Sequence, residues 1–435
     1  MALFPAPAGS SPDFPRKIYL ETTTRCNLRC RMCVKHARGS CIEEGDLNPA
    51  LFQRLLPALS RTHFLVLNGI GEPLLHTELA TMIARARQVM PQKGVIGFQS
   101  NGLLLNQVKA QQLLEAGLDT VCLSMDNLEP APGGEHQCSP VERAIDLLRH
   151  AAGGRQRPLS IGLEVVLQRR TVHQLPLIID WAAGRGVDYI IASHLFSFDG
   201  RLEEESLFTP CSREASSLFA KWAEKASAQG LNLAEFPSTY LKFKKTEQDR
   251  QLVDLGKAMQ QEAREQDITL HFPNILKQAA TDIADIEPLW RQAVDLAQQR
   301  GIRLTLPPIQ APAANARTCP FMEDQAVFIA MNGDVMPCHF LWHTYACMVN
   351  QVPVHVRSRS FGNIGEDPLE RIWRDSAYAA FRSEAGGNDY APCWSCSSGP
   401  CPDLINPNLL DIHDCYGNRV PCGHCMWSLG WMRCL

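Results

Sequence analysis

Long apolar runs, massed positive charge and evenly spaced cysteines are all missing from this 435-residue chain. No stretch approaches the ~20 apolar residues that cross a bilayer. The opening MALFPAPAGSSPDFPRK has neither the basic start nor the continuous apolar run of an export signal. Lys and Arg number 42 against 46 Asp and Glu, and they are scattered, so no basic stripe is offered to a phosphate backbone. The expectation is a soluble, cytoplasmic protein whose partners are neither membrane nor nucleic acid. The 17 cysteines are crowded at the two ends: Cys26, Cys30 and Cys33 at one, ten between Cys319 and Cys434 at the other, and only Cys41, Cys122, Cys138 and Cys211 between. A secreted disulfide scaffold is short and evenly laced, so metal binding at both ends is the better expectation.

At this length one ordinary core does not suffice. From 15 to about 200 the sequence alternates short apolar or β-branched runs with amphipathic stretches. Strands are expected at KIYLETT, HFLVLNG, VIGFQSNG, DTVCLSMD, LSIGLEVVL and VDYIIASHLF. Helices are expected around Pro49–Leu59, His76–Val89, Asn106–Ala116, Val141–Ala151 and Gln174–Ala183. Five crossovers between six strands predict an α/β fold built on a partial (β/α)6 barrel, with reactive groups at the carboxyl ends of the strands. Residues 1–14 form an N-terminal extension, 15–200 the barrel core, 201–312 a helical connecting region inserted after it, and 313–435 a Cys-rich cluster-binding domain. In the connecting region AEKASAQGLNLAEFP, QQEAREQDITLHFP and DLAQQRGIRLTLPP share a helix-then-strand plan, which is either a weak internal repeat or chance among helical connectors. The segment beyond Pro312 has little core of its own and is expected to lean on metal clusters as staples.

Three thiols in ETTTRCNLRCRMCVKHARG stand directly after the first strand. A closed zinc site takes four ligands and a disulfide two, so three at close spacing point to a metal centre with one position open for chemistry. An eight-residue loop can aim three thiolates at one [4Fe–4S] cube, which leaves one iron free. Here the sequence resembles the radical S-adenosylmethionine (SAM) enzymes, whose hallmark is this Cys-x3-Cys-x2-Cys spacing. The resemblance implies a cluster whose free iron is chelated by SAM, and whose electron, drawn from a donor such as flavodoxin or ferredoxin, cleaves SAM to a 5′-deoxyadenosyl radical. Gly69, Gly71, Glu72 and Pro73 of GIGEP look like the family's Gly-Glu-Pro turn beside the SAM ammonium. Ser100 and Asn101, Ser124 and Asp126, and Arg169 resemble polar strand ends that line the SAM pocket, Arg169 facing its carboxylate. Asp126 is also a conceivable acid or base. Met32 departs from the pattern, since many relatives carry an aromatic there.

Cys319, thirteen residues, Gly333, four residues and Cys338 frame a hairpin turning at Asn332-Gly333. This resembles the SPASM extension, which implies one or two auxiliary [4Fe–4S] clusters. Cys393, Cys396 and Cys401 follow the pattern approximately, with four rather than five residues before Cys401. The next cysteine is replaced by Ile405, and the tail supplies Cys415, Cys422, Cys425 and Cys434 instead. Cys347 and one more are spare. A four-cysteine zinc ribbon from Cys393, Cys396, Cys422 and Cys425 is the rival, but its 25-residue gap is long and Cys319 and Cys338 would go unexplained. Cys122 reads as core, Cys41 as a bystander, and His339, His343 and His424 as hydrogen-bonding loop residues. The resemblance implies hydrogen abstraction from a peptide or protein, with the tail similar to maturases of tungsten-dependent oxidoreductases. A small molecule or tetrapyrrole is the alternative substrate, and a non-enzymatic iron–sulfur carrier the alternative class.

Overall fold

The computed structural model describes residues 14–128, 138–279, 283–312, 317–349, 352–396 and 414–435. Cys401, Ile405 and nearly all of the expected N-terminal extension lie outside them. The first half lays down β1 (Lys17–Leu20), α1 (Pro49–Leu59), β2 (Phe64–Val66), α2 (Leu79–Val89), β3 (Val95–Ser100), α3 (Gln107–Glu115), β4 (Thr120–Ser124), α4 (Cys138–Ala152), β5 (Ser160–Leu167), α5 (Leu175–Gly184) and β6 (Tyr189–His194). Local chemistry sets the helix starts. Asn48 accepts from Ala50 N ahead of Pro49 at the first turn of α1, and Asn106 accepts from Lys109 N ahead of α3. The strands read as nearly unbroken apolar runs because helices cover a parallel sheet, and every residue of β6 is buried.

The connecting region forms α6 (Arg213–Ser227), α7 (Phe236–Tyr240), α8 (Glu247–Glu265), α9 (Phe272–Ala279) and α10 (Ile283–Arg300). It has a small core of its own that includes Leu218, Phe236, Leu252 and Met259. Of the three look-alike segments only the last ends in a strand, β7 (Arg303–Thr305). Leu233–Glu235 is a 3-10 turn, and Ile268 to His271 forms no strand. The resemblance among them is therefore one of helical connectors.

The sheet is larger than six strands, running β7-β6-β5-β4-β3-β2-β1-β8-β9. β7 pairs parallel to β6, and β8 (Ala326–Ile329) pairs parallel to β1 through Lys17↔Ala326 to Leu20↔Ile329. Just ahead of β8 comes α11 (Pro320–Glu323), and β9 (Val335–Met336) completes the Asn332-Gly333 hairpin, with Gly333 at φ +92°. Sequence beyond 312 thus contributes to the same sheet as the barrel. The antiparallel pair β10 (Tyr345–Val349) and β11 (Val352–Val356), then α12 (Leu369–Arg374) and α13 (Ser376–Gly386), lead to the tail.

That tail returns to the concave face of the sheet. His194 N donates to Trp431 O at 2.9 Å, Arg433 N to Ser193 Oγ at 2.9 Å, and Tyr19 OH to Leu435 O at 2.9 Å. Leu435 also packs under Gly97. Residues of β1, β3 and β6 meet one short segment, so the sheet is curved around it. Among the described residues no helix is long and apolar enough to cross a membrane.

Candidate active site

Cys26, Cys30 and Cys33 lie on the loop from β1 to α1, at the carboxyl rim of the sheet, each partly exposed. The loop is tightly turned: Leu28 N donates to Cys26 Sγ at 3.4 Å, and Cys33 N to Cys30 O at 3.1 Å. Burial raises the Cys26 thiol pKa; the Leu28 amide and the Lys35 ammonium oppose it, and the Glu72 charge adds to it. The root of the loop is clamped by Thr23 Oγ1 donating to Asp46 Oδ1 at 2.6 Å and by Arg25 Nε donating to the same atom at 3.0 Å.

The glycine-rich turn docks on this root. Gly71 N donates to Thr23 O at 3.2 Å and Glu72 N to Arg25 O at 2.8 Å. A Cβ on Gly71 would stand 2.3 Å from Thr23 O and 2.5 Å from Arg25 O, so the close approach requires glycine. Gly69 faces the Glu21 side chain in the same way. Glu72, 2% exposed, accepts from Ser100 Oγ at 2.7 Å, Asn101 N at 2.8 Å and Leu74 N, the second residue of the Pro73–Leu75 turn, at 3.1 Å. Asn101 Nδ2 in turn donates to Asn27 Oδ1, between the first two thiols, at 2.9 Å. Cys26, Gly71, Glu72, Pro73, Ser100 and Asn101 therefore come together. The Glu72 carboxylate is engaged with the β3 end, which makes it a lock for the turn.

Ser124 and Asp126 stand one strand further on, Asp126 buried and accepting from Val166 N at 2.9 Å. Arg169 is drawn away. It is exposed, and its guanidinium donates to Glu204 O and Ser206 O, each at 3.1 Å. Those two carbonyls engage Nε and one terminal nitrogen, which tethers Arg169 to the 204–206 segment.

Several residues escaped the sequence reading. Glu21, fully buried, accepts from Ile70 N at 3.1 Å and Met331 N at 3.3 Å and meets His343 Nε2 at 3.0 Å, joining the glycine turn to the C-terminal hairpin. Asn68, Gln99 and Glu164 form a hydrogen-bonded row across the concave face. Burial first, and then the Asp126 charge, push the Glu164 carboxyl up to about 7, against the Gln99 hydrogen bond. A lone acid in the apolar run of β5 was the available signal.

Cys434 sits deep in this concavity, its Sγ 3.4 Å from His339 Nδ1 and its charge neighbours Glu164, Lys17 and Arg433. The tail's hydrogen bonds to β6 and β1 place Cys434 beside His339 on this face of the sheet. A cavity of about 350 Å3, lined by Lys17, Thr120, Asp324, Arg433, Cys434 and Leu435 among others, lies at the amino ends of the strands, opposite the rim with the three thiols. Cys122 is buried in β4 and Cys41 is exposed. Cys319, Cys338, Cys422 and Cys425 neighbour one another, Cys393 packs on Gly423 of the tail turn, Cys396 N donates to Cys393 O at 3.4 Å, and Cys415 is exposed on the turn after Asp414. A zinc ion, at about 2.3 Å from each sulfur, needs its ligands close together. Among the described residues no three His, Cys, Asp or Glu side chains form such a single-ion set.

Residues 20–181, which carry the three thiols on the loop after the first strand of this curved parallel sheet, match the radical SAM superfamily. An iron-sulfur cluster-binding domain, SPASM, matches residues 319–397. The protein is thus an enzyme of the radical SAM type, with the cofactors of both parts, a [4Fe–4S] cluster with SAM and auxiliary iron–sulfur clusters. Over 429 residues it is 28% identical to the tungsten-containing aldehyde ferredoxin oxidoreductase cofactor-modifying protein of Pyrococcus furiosus, spanning 96% of each chain. It is 26% identical over 234 residues to the pre-heme d1 synthase of Dinoroseobacter shibae, 52% of this chain and 56% of that one. Among solved structures, Streptococcus suis SuiB bound to S-adenosylmethionine shares the fold with a TM-score of 0.52 at 14% identity, over 90% of this chain and 74% of that one.

Proposed function

We propose that Cys26, Cys30 and Cys33 hold the [4Fe–4S] cluster that binds SAM, and that the enzyme abstracts hydrogen from a peptide or protein in the maturation of a tungsten-dependent oxidoreductase. The observation that carries the reading is the docking of the Gly71-Glu72 turn on the root of the loop where Cys26, Cys30 and Cys33 stand within eight residues. Soft thiolates suit iron–sulfur clusters, and three of them leave an iron for an outside ligand. When bound, the cluster and SAM supply reductive cleavage to a 5′-deoxyadenosyl radical, with a flavodoxin- or ferredoxin-like protein as electron donor. The chain's own residues position: Glu72 ties the turn to β3, Asn101 ties β3 to the thiol loop, and Glu21 ties both to the hairpin.

The link to a tungsten-dependent oxidoreductase rests on the P. furiosus relative, named for modifying the cofactor of such an enzyme, because that likeness spans nearly the whole chain while the tetrapyrrole enzyme matches about half. The test is to measure 5′-deoxyadenosine formed by the reduced holoenzyme alone, with a tungsten-type oxidoreductase lacking its finished cofactor, and with iron coproporphyrin. Stimulation by the oxidoreductase is expected. Stimulation by the tetrapyrrole alone would replace this substrate with the rival.

A further inference from the structure

The C-terminal thiols are sorted by the fold into distinct places. Cys319 caps α11 and Cys338 closes the β8–β9 hairpin, whereas Cys422 and Cys425 lie on and just after the single turn Pro421–His424 of the tail. Backbone and hydroxyl bonds bring that turn to the first pair. Thr318 N donates to Ser428 O at 3.3 Å, and Ser428 Oγ donates to Cys425 O at 2.7 Å and Cys422 O at 3.2 Å. All four thiols feel one another's charge in every pairing, and Tyr390 faces three of them.

Two buried groups beside them lack an expected counterpart. Arg317, 7% exposed, donates from Nη1 to Tyr390 O at 2.5 Å, while its Nε has no partner. Among the described residues it has no carboxylate ion pair, and its charged neighbours include Cys393 and Cys422. A buried guanidinium is costly without an anion, and a cube on four thiolates is an anion. His424, fully buried between Cys422 and Cys425, leaves both ring nitrogens unpartnered. The donor set and these orphaned groups fit an iron–sulfur cluster.

We propose that Cys319, Cys338, Cys422 and Cys425 are the four ligands of one auxiliary iron–sulfur cluster, so that the far tail turn completes the site opened by the hairpin. The proposal rests on the cluster-binding reading of this region. Cys393, whose sulfur a Cβ on Gly423 would meet at 2.6 Å, packs against the same turn, and the proposal leaves it to a second set. Cys434 lies in the barrel beside His339, and Cys347 is buried in β10 opposite Val354. Neither is a ligand.

The test compares anaerobically reconstituted full-length protein with the single variants Cys319→Ser, Cys425→Ser, Cys393→Ser and Cys434→Ser, reading iron per chain and the EPR spectrum of the dithionite-reduced protein. Cys319→Ser and Cys425→Ser, distant in sequence, are expected to perturb the same signal. Cys393→Ser should perturb a different one, and Cys434→Ser none. The double variant Cys422→Ser/Cys425→Ser should lose about four irons, one cube's worth; should it fail to fold, the single variants still decide. The proposal is overturned if Cys434→Ser or Cys393→Ser alters the signal that Cys319→Ser alters, or if Cys425→Ser leaves that signal untouched. Wild-type protein with iron only for the Cys26, Cys30 and Cys33 site would instead overturn the cluster-binding reading itself.

Discussion

Individual residues were legible where a ligand type and a spacing coincide. Cys26, Cys30 and Cys33 announce themselves, since no packing role asks for three thiols in eight residues. Single polar residues do not, because the same side chain serves a ligand or a backbone amide equally well. Glu72 reads as a partner for a cation, yet its oxygens meet Ser100, Asn101 and Leu74. Arg169 is likewise taken by the 204 and 206 carbonyls. Glu164 was passed over as part of an apolar strand, and it carries a pH prediction. Its carboxyl is raised from 4.5 to about 7 by burial and Asp126, so the folded state binds its proton more tightly than the unfolded chain. The stability this contributes is fully present below about pH 4.5 and lost as pH climbs through about 7, on the order of 1–3 kcal/mol. Thermal unfolding of wild type and Glu164→Gln at pH 5 and pH 8 checks it: the wild type should lose more stability over that interval than the variant. Equal losses would mean that Glu164 titrates normally.

Elements were legible when they were long and periodic. α1 falls on Pro49–Leu59 as read from its cap and apolar spacing, and the Asn332-Gly333 hairpin turns where expected. What escaped is that β7 and β8 join the barrel's own sheet, because their partners β6 and β1 are remote in sequence. What no pattern reveals is the docking of one loop on another. Gly71 shows the consequence: a methyl group there meets two carbonyls of the thiol loop's root at 2.3 and 2.5 Å, and backbone rather than a flexible side chain must give way. Gly71→Ala is therefore expected to weaken SAM binding by at least about tenfold, some 1.4 kcal/mol, while the auxiliary iron stays in place. Isothermal titration under anaerobic conditions, paired with iron analysis, measures both. Unchanged SAM affinity would show that the turn does not set the site.

Across the whole molecule, the two cysteine-rich ends proved to be structurally joined. Composition suggests a barrel followed by a metal-stapled appendage, since nothing in a Cys-, Gly- and Pro-rich tail foretells that it folds back. In the structure β8 lies beside β1, and the last residues reach the concave face through Ser193, His194 and Tyr19. Trp431 is 1% exposed and stacked on Phe208 at 4.2 Å between ring centroids. Removing residues 431–435 is expected to cost about 3–5 kcal/mol, the range for truncating a buried large aromatic, and to lower the unfolding temperature of the barrel itself. Differential scanning calorimetry reads it, and an unshifted barrel transition would show that the tail merely rests there.

The central claim is that three thiols on the first loop arm this barrel for SAM. Its most direct measurement is 5′-deoxyadenosine and methionine production from SAM by the dithionite-reduced, anaerobic enzyme and by Cys26→Ala, Cys30→Ala and Cys33→Ala, with iron counted in each. The wild type should release both products in equal amounts, while each variant forms neither and keeps its C-terminal iron. Undiminished deoxyadenosine from all three variants would contradict the account.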